Sequence, residues 1–183
     1  MCDGGVEESI GEYADFAPKN ISKYDLANVQ RRAEIVGARL NFFEFMNADG
    51  SGYSSEKPVI LRTAWTALED LDQAYLVFEL RRDTAINIGA ITSTNLGPVG
   101  KGKNYVTTIE LDVSLLAQGK YDLIPYIGYF PKDNVISTFQ GYDAPNVNLH
   151  FEVNQSEFGE LYGTGFGGSI LLKPIKSIQQ NAD

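Results

Sequence analysis

The sequence predicts an all-β protein, an antiparallel β-sandwich of the immunoglobulin-like or jelly-roll kind. First, its 183 residues include 10 Tyr and 10 Phe alongside 18 Gly, and aromatic residues separated by glycine turns favour strands. Second, apolar and polar residues alternate in about eight short segments, the period of half-buried strands. Third, apart from a turn near 114–118, no stretch has the periodicity of an amphipathic helix.

The opening strand is expected within Ala33–Phe45 and the last within Ser169–Leu172. Between them, alternation predicts which side chains face the core. Pro125 interrupts one strand, and because proline donates no ladder hydrogen bond, we expect that strand at an edge or a bulge. The predicted core includes Val59, Leu61, Trp65, Leu76, Phe78, Leu80, Leu123 and Leu149.

Residues 1–28 differ from the rest, with six acidic residues, two lysines and little apolar periodicity. We expect a flexible acidic linker or tail there, followed by one sandwich domain over residues 29–183.

The net charge of −9 disfavours nucleic acid and anionic membranes as partners. Cys2 is the one cysteine, so no intramolecular disulfide forms, which fits a cytoplasmic location. The one histidine, His150, excludes a multi-histidine metal centre, and alternation predicts that it faces solvent.

The segment 97–104 (GPVGKGKN) approaches a phosphate-binding loop, but Asn104 stands where Ser or Thr would hold magnesium, and a strand follows instead of a helix. We interpret it as a hairpin loop. The oxygen-rich segment 47–52 lacks the distal Glu of a calcium loop and is interpreted as a turn. The sequence therefore predicts no catalytic residues, no metal and no cofactor, and a protein that is not an enzyme.

Aromatic side chains outnumber the positions of one core face, and sugars stack on aromatic rings while their hydroxyls bond to charged groups. The predicted carbohydrate-binding residues are Arg62, Tyr75, Glu79, Tyr126 and Tyr129. Of these, Arg62, Glu79 and Tyr126 lie on the non-core side of their strands and are expected on one sheet face, with Tyr75 and Tyr129 close by in sequence. Two alternatives remain open. One is a protein–protein interaction or dimerisation module that binds no glycan. The other is a glycoside-acting enzyme that uses two carboxylates among Glu79, Asp122, Glu152 and Glu160.

Five segments appear in a characteristic order, namely 33–40 (AEIVGARL), 56–62 (EKPVILR), 71–81, 92–95 (TSTN) and 116–121 (LAQGKY). In this order and spacing the chain resembles the C-terminal carbohydrate-binding domain of Wzt-type ATP-binding subunits, from ABC exporters of O-antigen polysaccharide. The resemblance extends from about Arg31 to Val153.

The resemblance implies a domain that binds a surface polysaccharide before its export, as part of lipopolysaccharide biosynthesis. It also implies a homodimer that exchanges C-terminal strands, here within residues 163–174. The implied partners are the exporter's ATPase and membrane subunits, which would place the domain in the cytoplasm at the inner face of the cell membrane.

Overall fold

The computed structural model describes residues 23–46, 52–54, 57–82, 86–116, 119–131, 139–155 and 176–182. These residues form eleven strands: β1 (Lys23–Asp25), β2 (Ala38–Phe45), β3 (Tyr53–Ser54), β4 (Val59–Ala67), β5 (Tyr75–Arg82), β6 (Ile86–Thr92), β7 (Asn104–Leu111), β8 (Gly119–Tyr129), β9 (Gln140–Asp143), β10 (Leu149–Gln155) and β11 (Lys176–Ala182). No helix occurs in the described ranges.

The strands pack as two sheets, which confirms the predicted sandwich. The five-stranded sheet has the order β1-β2-β4-β7-β11, and the six-stranded sheet has the order β3-β10-β8-β5-β6, with β9 also paired to β8. All strand pairs are antiparallel except β3 with β10.

The core lies between the sheets and contains all eight residues predicted to be buried. Trp65 stacks on Tyr105 with ring centroids 4.6 Å apart, and its indole nitrogen donates to Thr107 Oγ1 at 3.1 Å. Phe43 of one sheet meets Phe78 of the other edge-on at 5.8 Å. Because the buried indole nitrogen has a partner, this core buries aromatic surface without an unsatisfied donor at Trp65.

A buried ion pair joins the sheets near one end. Arg31 Nε lies 2.8 Å from Asp143 Oδ1, and Asp143 Oδ2 accepts a hydrogen bond from the Leu40 amide at 2.8 Å. The same guanidinium donates to the carbonyls of Leu26, Val29 and Leu40. The pair therefore fixes the segment that leads into β2 against the end of β9 in the other sheet.

Several boundaries differ from the prediction. β1 lies within the predicted tail, because Tyr24 and Leu26 bury apolar side chains that the charged neighbours Lys23 and Asp25 obscure in the sequence. The opening strand begins at Ala38, since Gly37 before it adopts a positive φ of 63°. The last described strand is β11, whereas the predicted strand 169–172 and the exchanged segment 163–174 lie outside the described residues.

Two further interpretations are corrected. Pro125 lies in β8, which is an interior strand of the six-stranded sheet. On the side of β8 that faces away from β5, pairing with β10 ends at Leu123 and pairing with β9 begins at Ile127, so Pro125 lies between the two. Proline is tolerated there because no strand residue pairs with it on that side. The segment 97–104 is not a hairpin loop, because β6 and β7, which it connects, belong to different sheets. Within it, Val99 forms an isolated antiparallel bridge with Leu71. Residues 47–51 lie outside the described ranges.

Candidate functional site

The outer face of the six-stranded sheet carries a concentrated set of polar and aromatic side chains. On β5 the buried Leu76, Phe78 and Leu80 alternate with half-buried residues, so Glu79 and Arg81 project away from the core. On β8, Asp122, Ile124 and Tyr126 are the register partners of β5 residues on this face, although Asp122 and Ile124 are buried and only Tyr126 is half-buried. On β10 the alternation with the buried Leu149 and Phe151 projects His150 outward.

Glu79 is the centre of a hydrogen-bond network on this face. Its Oε1 accepts from Arg81 Nε at 3.0 Å and from Asn87 Nδ2 at 3.0 Å. Tyr126 Oη donates to its Oε2 at 3.4 Å. Arg81 also forms an ion pair with Glu79, with its Nη2 2.9 Å from Oε1. The network holds the carboxylate and the tyrosine hydroxyl in fixed positions on a partly exposed surface.

Arg32 joins this network from outside the sheet. Its Nη1 donates to Tyr126 Oη at 2.9 Å, and its guanidinium lies 5.8 Å from the centre of the Tyr126 ring. The backbone positions it, because the Arg32 amide donates to the Ala144 carbonyl at 2.8 Å. Its side chain is exposed, and among the described residues it forms no ion pair with a carboxylate. A guanidinium of this kind can donate hydrogen bonds to a ligand oxygen.

A row of aromatic rings borders the network. Tyr126 meets Phe139 at 6.4 Å, Phe139 meets Phe130 at 5.4 Å, and Phe130 meets Tyr75 at 5.2 Å between ring centroids. All four side chains are half-buried. Such a row presents apolar ring surface beside charged groups, the combination that binds the C–H faces and the hydroxyls of a sugar.

A second polar cluster lies farther along β8. His150 Nδ1 contacts Asp122 Oδ1, and Asn148 Nδ2 donates to Asp122 Oδ2 at 3.3 Å. The His150 amide donates to Tyr24 Oη at 3.0 Å. Burial raises the pKa of the Tyr24 phenol, more than the hydrogen bond from the His150 backbone lowers it. His150 is thus half-buried and oriented by Asp122, and is more constrained than a freely exposed surface histidine.

The structure brings together three of the five predicted residues. Glu79, Tyr126 and Tyr75 share the outer face of the six-stranded sheet. Tyr129 lies apart from that face and stacks on Tyr142 at 5.2 Å. Arg62 is on β4 of the five-stranded sheet, where it pairs with Glu44. The grouping of Arg62 with Glu79 and Tyr126 on one surface is therefore wrong.

Five residues of the network and the aromatic row were not among those predicted, namely Arg32, Arg81, Asn87, Phe130 and Phe139. Arg32 reaches Tyr126 from 94 positions away in the sequence. Asn87 lies eight positions from Glu79 and contacts it because β5 and β6 pair. Phe139 belongs to the aromatic surplus that the sequence showed, but nothing in the sequence places it against Tyr126.

The described residues contain no group of three or more His, Cys, Asp or Glu side chains that could hold a metal ion. Nor do they include a helix with the length and apolar character needed to cross a bilayer.

Comparison with solved structures relates this sandwich to a known domain. The chain superposes on the crystal structure of the C-terminal domain of Wzt with a TM-score of 0.56 at 16% sequence identity, covering 71% of this chain and 80% of that chain. The chain has the fold of the Wzt C-terminal domain. No protein-family model matches the chain, and no curated protein matches it.

Proposed function

We propose that this chain is a non-catalytic glycan-binding domain whose binding surface is the outer face of the six-stranded sheet. The observation that carries the proposal is the contact between Arg32, Tyr126 and Glu79 beside a row of aromatic rings. Ring surface for stacking and fixed polar groups for hydroxyls lie on one partly exposed surface, as sugar recognition requires.

The fold and the resemblance in the sequence support a polysaccharide as the proposed ligand class. Both point to the Wzt C-terminal domain, and the resemblance implies an O-antigen-type polysaccharide that is bound before ABC-transporter export. The proposed partners are the polysaccharide, a second copy of the chain and the ATPase and membrane subunits of an exporter. The proposed location is the cytoplasm, at the inner face of the membrane.

The alternative is an interaction module in which the same surface binds only protein. Exposed aromatic and arginine side chains are also enriched in protein interfaces, so the row from Tyr75 to Tyr126 fits that function as well. The two functions predict different ligands for this surface, a polysaccharide or a protein. Measuring the binding of both ligands to one set of variants distinguishes them.

The test is calorimetric titration with surface polysaccharide from the source organism, comparing the native chain with Tyr126→Ala and Arg32→Ala. We expect each substitution to cost about 1–2 kcal/mol of binding free energy, roughly ten-fold or more in affinity. Arg62→Ala is the matched control, because it removes an arginine from the opposite sheet and should leave this affinity unchanged.

Full affinity in both Tyr126→Ala and Arg32→Ala would contradict the proposed surface. If the native chain binds no polysaccharide while the two variants lose binding to a protein partner, the interaction module is the correct function. Thermal melts accompany each titration, since only a variant that keeps its fold reports on binding.

A further inference from the structure

A groove on the outer face of the other sheet forms a second candidate site. It has a volume of about 400 Å³ and lies along the seam between β1 and β2, lined by Lys23, Asp25, Ala27, Arg39, Asn41 and Phe42. This volume is within the range of small-molecule sites, which begins at about 300 Å³. Because the two outer faces are on opposite sides of the sandwich, this groove is separate from the surface around Glu79.

The groove is lined by two cations, Lys23 and Arg39, and by one carboxylate, Asp25. Lys23 Nζ lies 5.0 Å from the centre of the Phe42 ring, a cation–π contact that holds the ammonium at the groove wall. Arg39 Nη2 donates to the Ala27 carbonyl at 3.2 Å. Neither forms an ion pair with a described carboxylate. This local excess of positive charge occurs in a chain whose net charge is −9.

The remaining polar groups are suited to hydroxyls. Asn41 is the extra residue of a β-bulge between Leu40 and Phe42, and its amide nitrogen donates to Thr66 Oγ1 at 2.9 Å. Its backbone carbonyl accepts from the Leu26 amide at 2.9 Å, whereas its side-chain oxygen accepts no hydrogen bond from a described residue. Asp25 Oδ1 accepts from the Ala27 amide at 2.9 Å, and its second oxygen is a further acceptor. Arg62 is not counted here, since Glu44 already neutralises it.

From this combination we infer that the groove binds an acidic sugar residue, one whose ring carries a carboxylate. The carboxylate would lie between Lys23 and Arg39, and the ring hydroxyls would bond to Asn41 and Asp25. Charge-assisted hydrogen bonds to the carboxylate supply the selectivity over neutral sugars. The inference goes beyond the proposed function and does not depend on it.

The experiment follows backbone amide shifts of the ¹⁵N-labelled full chain during titration with glucuronate, glucose or inorganic phosphate. We expect glucuronate to shift amides of residues 23–27 and 39–42, and glucose to shift them at least five-fold more weakly, the effect of losing roughly 1 kcal/mol. Equal shifts with glucose and glucuronate, or none with glucuronate, would overturn the inference. Phosphate that binds the same amides as tightly as glucuronate would also overturn it, by assigning the groove to small anions in general.

Variants of Lys23 and Arg39 test whether these two cations bind glucuronate. Lys23→Gln and Arg39→Gln should each weaken glucuronate about five-fold or more, since each removes a charge-assisted contact. The Lys23 side chain makes no hydrogen bond to the backbone of a described residue, so its variant tests the groove even where Arg39→Gln disturbs the Ala27 contact. Lys103→Gln, an exposed lysine on the β6–β7 connection, is the charge-matched control. Unchanged glucuronate affinity in Lys23→Gln and Arg39→Gln would refute the site.

Discussion

At the scale of single residues, what matters is how each charged side chain is compensated. Glu79 receives hydrogen bonds from two neighbouring strands and stays partly exposed, so its network remains available to a ligand. Asp143 is buried, and Arg31 together with the backbone amides of Leu40 and Ala144 compensates it. The first arrangement fits recognition, whereas the second stabilises the contact between the sheets.

The pH dependence of stability should reveal the state of Asp143. Burial raises the pKa of its carboxyl above the usual value, although the Leu40 amide and Arg31 act in the opposite direction. The native state therefore holds this proton more tightly than the unfolded chain does. The group contributes stability below its unfolded pKa, and that contribution is lost as the pH rises through its folded pKa.

Asp143→Asn removes this titration while nearly preserving shape. We expect the free energy of unfolding of the native chain to fall relative to that of Asp143→Asn as the pH rises from about 4 towards neutrality. Urea unfolding of both proteins at several pH values measures the difference. If the unfolding free energy of the native chain instead rises relative to that of Asp143→Asn with pH, the attraction of Arg31 outweighs the effect of burial and the pKa of the carboxyl is lowered.

At the scale of strands, sequence alternation predicted the long elements well and the short ones poorly. β4, β5 and β7 are eight or nine residues long, and their strict alternation reports burial directly. β1, β3 and β9 have two to four residues, too few to show a period, and they exist because long-range pairing holds them.

The misplacement of Arg62 has a related cause. Alternation shows that a side chain leaves the core but not which of two sheets carries it, so Arg62 and Glu79 looked equivalent. Arg32 escaped prediction because it precedes β2 in an irregular segment whose position depends on backbone contacts with residues 144–146. The sheet to which a strand belongs and the long-range contacts of an irregular segment depend on the whole fold, so a local sequence pattern does not predict them.

Alanine substitutions at two paired glycines, one on β8 and one on β9, test how closely these strands must approach each other. Gly128 and Gly141 are register partners, yet a Cβ at Gly128 would lie 2.0 Å from the Gln140 carbonyl oxygen and 2.6 Å from the Phe139 ring. At Gly141 the nearest atom would be 4.0 Å away. Gly128→Ala should therefore destabilise by about 1–3 kcal/mol, roughly 3–10 °C in Tm, and displace Phe139 from Tyr126.

Gly141→Ala is the matched control, with an expected Tm within about 1–2 °C of the native chain. Differential scanning calorimetry gives both values, and polysaccharide titration of Gly128→Ala shows whether the aromatic row depends on this contact. Equal melting temperatures for the two variants would mean that β8 and β9 accommodate a Cβ at Gly128 without loss of stability, which would contradict the prediction.

At the scale of the whole molecule, one feature of the described sandwich is that β11 covers the β7 edge of the five-stranded sheet. β11 pairs with β7 through six register pairs and covers an edge that would otherwise expose unpaired amides and carbonyls. The predicted strand exchange, within residues 163–174, belongs to the stretch that leads into β11. The observed covering of this edge by β11 and the predicted exchange therefore involve different segments, and shortening the chain at different points separates the two.

Two truncations distinguish these functions by light scattering coupled to size exclusion. If residues 163–174 mediate exchange, a chain ending at Pro174 keeps the homodimer but loses β11, whereas a chain ending at Glu157 becomes monomeric at low concentration. Both truncated chains expose the β7 edge, so both should also form larger species as the concentration rises, because open edges pair without a defined stoichiometry. A single dimeric species in the chain ending at Glu157, with the stability of the full chain, would exclude strand exchange as the basis of the dimer. The Wzt-like fold would then dimerise through one of its sheet faces instead.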